Sequence, residues 1–150
     1  MKKTVKVSDL TGSALDFAVD RAVNGAKYSE QLSVIRTSGD AFRPSSSWRV
    51  CGPLMEKYQV FIEPPHDVHK LNYREDGKPK GCWETFESWH ATVSTRVAAK
   101  PAVIDLFPSG GPFRGEGDTP QLAICRAIAS MGGDEIDIPF ELLKSKGDAK

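Results

Sequence analysis

The chain has no excess charge of either sign: twenty Lys and Arg residues offset twenty Asp and Glu residues in 150 positions. That balance removes the general electrostatic pull on nucleic acid or anionic lipid that a basic protein has. The basic residues are also scattered, so general nucleic-acid binding is not expected. No apolar run approaches the roughly 20 residues of a membrane span, and no membrane partner is expected. Met1 to Asp9 carries charge where a secretory signal needs an unbroken apolar stretch, so a soluble, cytoplasmic protein is the expectation. Cysteines are few, odd in number and far apart (Cys51, Cys82 and Cys125), which argues against a disulfide framework and fits a reducing compartment. Neither Cys-x-x-Cys nor His-Glu-x-x-His occurs. His66, His69 and His90 are therefore read as surface histidines, and neither a metal nor a cofactor is expected. Cys51 or Cys82 as a nucleophile has no base fixed beside it, so no catalytic residue is assigned.

What is present is enough for one domain with a core that needs no staple. Folding at this size buries roughly 68–70% of the surface of the unfolded chain. Thr4–Val7 reads as an opening strand. Leu10, Ala14, Leu15, Ala18, Val19 and Ala22 then recur at helical spacing, with Asp16, Asp20 and Arg21 on the opposite side and Asn24-Gly25 as the stop. Leu32–Thr37 reads as a strand, and Pro44–Trp48 and Cys51-Gly52-Pro53 as loop, with one helical turn over Leu54–Tyr58. Further strands are expected at Gln59–Glu63, Trp89–Thr95, Ala102–Phe107 and Glu135–Ile138. A hairpin is expected from Asp67–Tyr73 to Cys82–Phe86 around Glu75-Asp76-Gly77-Lys78-Pro79. Trp89, with Ala91 and Val93, belongs to the core. A second long helix begins at Pro120, with Thr119 as its cap, Cys125 on its apolar face and Gly132-Gly133 as its end. The resulting fold class is α+β: a mainly antiparallel sheet with two amphipathic helices packed on it. Residues 1–143 form the domain and 144–150 a frayed tail.

The most distinctive stretch is Ser109-Gly110-Gly111-Pro112-Phe113-Arg114-Gly115-Glu116-Gly117-Asp118-Thr119-Pro120. A glycine-rich loop lets backbone N–H groups approach a ligand, and a helix start adds partial positive charge. Arg114 is placed to take an anion, and Arg126 points back towards the loop because helix side chains lean N-terminally. Against this, Thr119 uses one free N–H, Pro120 has none, and Glu116 and Asp118 repel an anion. Those carboxylates can instead accept from ribose hydroxyls. Trp48 offers an indole face in a Ser-rich loop. The expected ligand-binding set is Ser45, Ser46, Trp48, Gly110, Gly111, Arg114, Gly117, Thr119 and Arg126. A helix terminus contributes about 0.3–1 kcal/mol, a charged hydrogen bond roughly 1.5–3, and a stacked base roughly 1–3. Together these fall short of the ~8 kcal/mol of micromolar binding, so Ser45, Ser46 or a second subunit must add contacts.

Val5–Val19, Arg43–Trp48 followed by Cys51-Gly52-Pro53-Leu54, and Gly117-Asp118-Thr119-Pro120 running to Gly133–Pro139 resemble, in that order, the NinX-like proteins of tailed phages and prophages. Trp89-His90-Ala91 and Thr119–Ala127 also resemble the phage ABA sandwich domain. Two departures stand out: Cys51-Gly52-Pro53 replaces Gly-Gly-Pro, and Pro64–Glu84 is long. The resemblance implies a layered α+β fold and a phage accessory gene expressed in the cytoplasm of a bacterial host, with no reaction attached. On this basis the leading expectation is a binding protein that sequesters a small nucleotide-like host signal or metabolite, a counter-defence role, without catalysis. The alternative is a protein-interaction module that modulates a host enzyme. A homo-oligomer is compatible with both.

Overall fold

Helix α1 (Gly12–Asn24) is buried along its middle, every residue from Ala14 to Asp20 being out of contact with solvent in the computed structural model, which describes residues 1–93 and 113–144. It packs against α4 (Pro120–Ala129) on one side and α2 (Glu30–Ser38) on another, with α5 (Phe140–Lys144) and β7 (Glu135–Pro139) at its flank. Leu15, Phe17, Val19, Ile124, Ile128 and Ile138 form the centre of the core. The expectation that Asp16 and Asp20 face solvent is wrong, because α1 has neighbours on more than one side. Asp16 accepts the Ser45 N–H at 2.8 Å, and Asp20 accepts from Asn24 Nδ2 at 2.8 Å and faces Arg36 at 3.6 Å.

The stretch expected as a strand at Leu32–Thr37 is helix α2. Ser29 caps it by accepting the Leu32 N–H at 3.2 Å. Its buried residues are Ser33 and Thr37, one turn apart, while Leu32 and Ile35 face outward. Each β-branched residue costs under about 0.7 kcal/mol of helix propensity, less than a cap and a packed face return. Cys51-Gly52-Pro53 is likewise helix, within α3 (Trp48–Lys57). Pro53 sits inside it on the exposed side, and the burial of Cys51 and Leu54 offsets the one main-chain hydrogen bond that the ring removes.

Among the described residues strand pairing is antiparallel throughout, but the strands form three separate sheets rather than one. β1 (Lys2–Lys6) pairs with β7 and leads into a 3-10 turn over Val7–Asp9. β3 (His66–Tyr73) and β4 (Pro79–Phe86) form the expected hairpin, whose Asp76 carboxylate accepts the Lys78 N–H. β5 (Trp89–Val93) is the centre of a three-stranded sheet between β2 (Val60–Glu63) and β6 (Phe113–Gly117). Helix α4 covers one face of that sheet. The candidate strand Ala102–Phe107 lies outside the described residues.

β6 corrects the expectation of a loop running up to Thr119. Phe113–Gly117 alternates in burial, with Gly115 and Gly117 turned inward beneath α4. A Cβ on Gly115 would collide with the main chain of α4 at Ala123 and Ala127, and one on Gly117 would lie 2.6 Å from Leu122 Cβ. These glycines allow a helix to approach a strand closely. Thr119 accepts the Leu122 N–H at 3.2 Å, as its place before Pro120 predicts.

Candidate functional site

Antiparallel register sorts the side chains of the central sheet. Ile62, Ala91 and Gly115 share the face against α4. Phe61, Thr92 and Arg114 form one row of the opposite face, and Glu63, His90 and Glu116 form the next. The ends of β1 and β7 come near β5 and β6. Between them lies an open groove of about 1430 Å³, with walls from β5 and β6, the Lys6–Ser8 turn, the Asp134-Glu135 corner and the side of α4.

Aromatic rings and carboxylates meet at one end. Phe86 and His90 both border the groove, their rings perpendicular with centroids 5.3 Å apart. His66 stacks on Phe86, also at 5.3 Å. Its Nδ1 donates to the Pro64 carbonyl at 2.6 Å, because a carbonyl only accepts, and its Nε2 faces Glu63 at 3.9 Å. His90 Nδ1 lies 3.5 Å from Glu116 Oε1. The result is an array of three rings held at both ends by acceptors. Glu116 itself is well exposed, leaving lone pairs free for hydroxyl or amine donors. Arg114 stands on the same face and has no ion pair among the described residues.

Of the nine sequence-expected site residues, the groove gathers Arg114, Gly117 and Arg126. Arg126 points towards β6 as expected, but its guanidinium is committed: Nε donates to the Leu10 carbonyl at 3.1 Å and Nη1 to the Glu116 carbonyl at 2.7 Å. Ser45, Ser46, Trp48 and Thr119 do not line the groove. Ser45 satisfies Asp16, Ser46 Oγ donates to the Arg43 carbonyl, and Trp48 opens α3 with half its surface exposed. Gly110 and Gly111 lie outside the described residues. The alternation of β5 already placed His90 and Thr92 opposite the core residues Ala91 and Val93. The cross-strand partners were hidden because residues 113–117 read as loop.

Two cysteines are buried together. The hydrogen bond that Cys125 donates to Cys51, burial and the nearby Asp16 all push the Cys125 thiol up, which keeps it protonated and unreactive. Among the described residues no group of three His, Cys, Asp or Glu side chains is arranged to hold a metal. No helix among them is long and apolar enough to cross a membrane.

The sequence matches the family described as Bacteriophage P22, NinX over residues 6–82, more than half of the chain. The chain belongs to that family. No curated protein matches it. In this NinX-family chain the matched stretch runs from the last residue of β1 into β4 and contributes Lys6, Ser8 and Glu63 to the groove. Phe86, His90, Arg114 and Glu116 come from beyond it, whereas His66 and Glu63, the third ring and its carboxylate, lie within it, so the ring array is built from both parts of the chain.

Proposed function

We propose that this NinX-family chain is a phage accessory protein that holds a small nucleotide-like molecule of its bacterial host in the groove, withholding it rather than transforming it. One observation carries the reading: a single groove collects a ring pair, Phe86 and His90, an arginine with no ion pair among the described residues, Arg114, and carboxylates on β6 and at the Asp134-Glu135 corner. Planar rings stack on bases, carboxylates accept from ribose hydroxyls, and an arginine fork meets a phosphate. Its volume exceeds the roughly 300–1,000 Å³ of drug-sized pockets, so a nucleotide fits with room at the mouth. Capture of a signalling molecule in the host cytoplasm is a counter-defence role. Isothermal titration against cyclic nucleotides, ADP-ribose-type nucleotides and nucleosides tests it. At least one compound gives a saturable heat that His90→Ala reduces; flat heats across the panel overturn the reading.

A second reading rests on a different surface. Phe61 is 68% exposed beside a shallow apolar depression shared with Gly52, Met55 and Val60, and Trp48 stands on the same helix as Met55. This arrangement suits docking onto a host enzyme. Stoichiometric co-purification with one such enzyme, abolished by Phe61→Ser, would favour it.

A further inference from the structure

We infer that the groove reads the nucleoside part of its ligand, ring and vicinal diol, and admits no more than a single phosphate charge; this rests on the nucleotide-binding reading above. The argument is one of charge within a short distance. Among the described residues five carboxylates border the groove, Glu63, Glu116, Asp118, Asp134 and Glu135. Three permanent cations face them, Lys6, Arg114 and Arg126, and Arg126 is already bound to two main-chain carbonyls. Like charges lining one groove repel an incoming anion, and salt weakens that repulsion, the Debye length being about 8 Å at physiological strength. A triphosphate therefore enters an acidic surround with two cations to meet it, Lys6 and Arg114, which hold no ion pair among the described residues. A neutral nucleoside incurs no such repulsion.

The same carboxylates suit a diol. A carboxylate is acceptor-only, and Glu116 has one oxygen towards His90 and capacity left for two hydroxyl donors. The rings of Phe86 and His90 are braced against each other, and His66 covers one side of Phe86, so the platform beside Glu116 is held in place before a ligand arrives. Ring and diol acceptor thus stand together at one end of the groove. The ligand class that follows is a ribonucleoside or a singly charged ribonucleotide, not a polyphosphate.

Equilibrium dialysis of the full chain with adenosine, guanosine, cytidine and uridine, their 2′-deoxy forms and their 5′-triphosphates is the test, run with EDTA at low and high salt. At least one ribonucleoside is expected to bind about tenfold more tightly than its triphosphate and its 2′-deoxy form, the loss expected for one hydrogen bond to a charged group. Its affinity is expected to change less than about twofold with salt, as no counterion is released. Phe86→Leu should weaken the nucleoside, and Glu116→Gln, at an exposed position, should narrow the gap between nucleoside and triphosphate. A triphosphate that binds as well as its nucleoside or better, with affinity falling as salt rises, overturns this inference and leaves the nucleotide-binding reading standing. Absence of binding by every compound overturns this inference, and flat heats across the calorimetric panel as well overturn both.

Discussion

Asp16 shows how one buried carboxyl sets a pH dependence. Burial lifts its pKa from 3.8 to about 6; the Ser45 hydrogen bonds and the Arg43 charge pull it down and lose. The folded value lies above the unfolded one, so the folded chain retains a proton that the unfolded chain has released. The stabilisation from protonated Asp16 is complete below pH 3.8 and is lost as pH rises through about 6. A shift of this size corresponds to about 3 kcal/mol. Asp16→Asn keeps an oxygen for the Ser45 N–H and removes the ionisation. We expect the variant to exceed the wild type by about 1–3 kcal/mol at neutral pH, with the difference closing in acid; paired urea titrations across that range measure it. Asp20, also buried in α1, faces Arg36 at 3.6 Å. Arg36→Met leaves a fully buried carboxylate with Asn24 alone, and a loss of roughly 3–5 kcal/mol is expected in the same titration.

Helices α2 and α3 show why local pattern misled. Val34, Ile35 and Thr37 favour a strand locally, yet the cap at Ser29 and the burial of Ser33 and Thr37 against the core select helix. In α3 the pair Gly52-Pro53 reads as a break, and the packed residues Cys51 and Leu54 carry the helix through it. Two glycine substitutions separate the roles that sequence alone merges. A Cβ at Gly52 meets nothing within 4 Å, so Gly52→Ala should stabilise α3 by about 0.5–1 kcal/mol. Gly115→Ala drives a methyl into the main chain of α4 and should cost about 3 kcal/mol or more, since neither backbone can yield without moving the helix off the sheet. Thermal unfolding of the two variants beside the wild type decides it; equal effects would contradict the close packing of β6 under α4.

The groove belongs to the assembled chain, not to any segment of it. Its walls come from the Lys6–Ser8 turn, the end of β4, β5, β6, α4 and the Asp134-Glu135 corner, which only folding brings together. Trp48, on α3, is not part of it. Trp48→Ala should therefore leave ligand affinity within about twofold of the wild type, whereas Arg114→Ala, which removes a charged hydrogen bond, should lower the affinity of any phosphate-bearing ligand by about tenfold or more; calorimetric titration of both checks this. Helices α1 and α4, the β3–β4 hairpin, β5 and β7 were legible in the amino-acid order, because caps, turn residues and apolar periodicity act over a few neighbouring positions. So was the inward set of β5, and with it the outward direction of His90. Nothing local could show that residues 113–117 lie beside β5, that Asp16 and Asp20 are enclosed, or that Arg126 bonds to the Leu10 carbonyl. Those facts depend on which surfaces meet across tens of residues, and burial and hydrogen-bond partners are assigned only when they do.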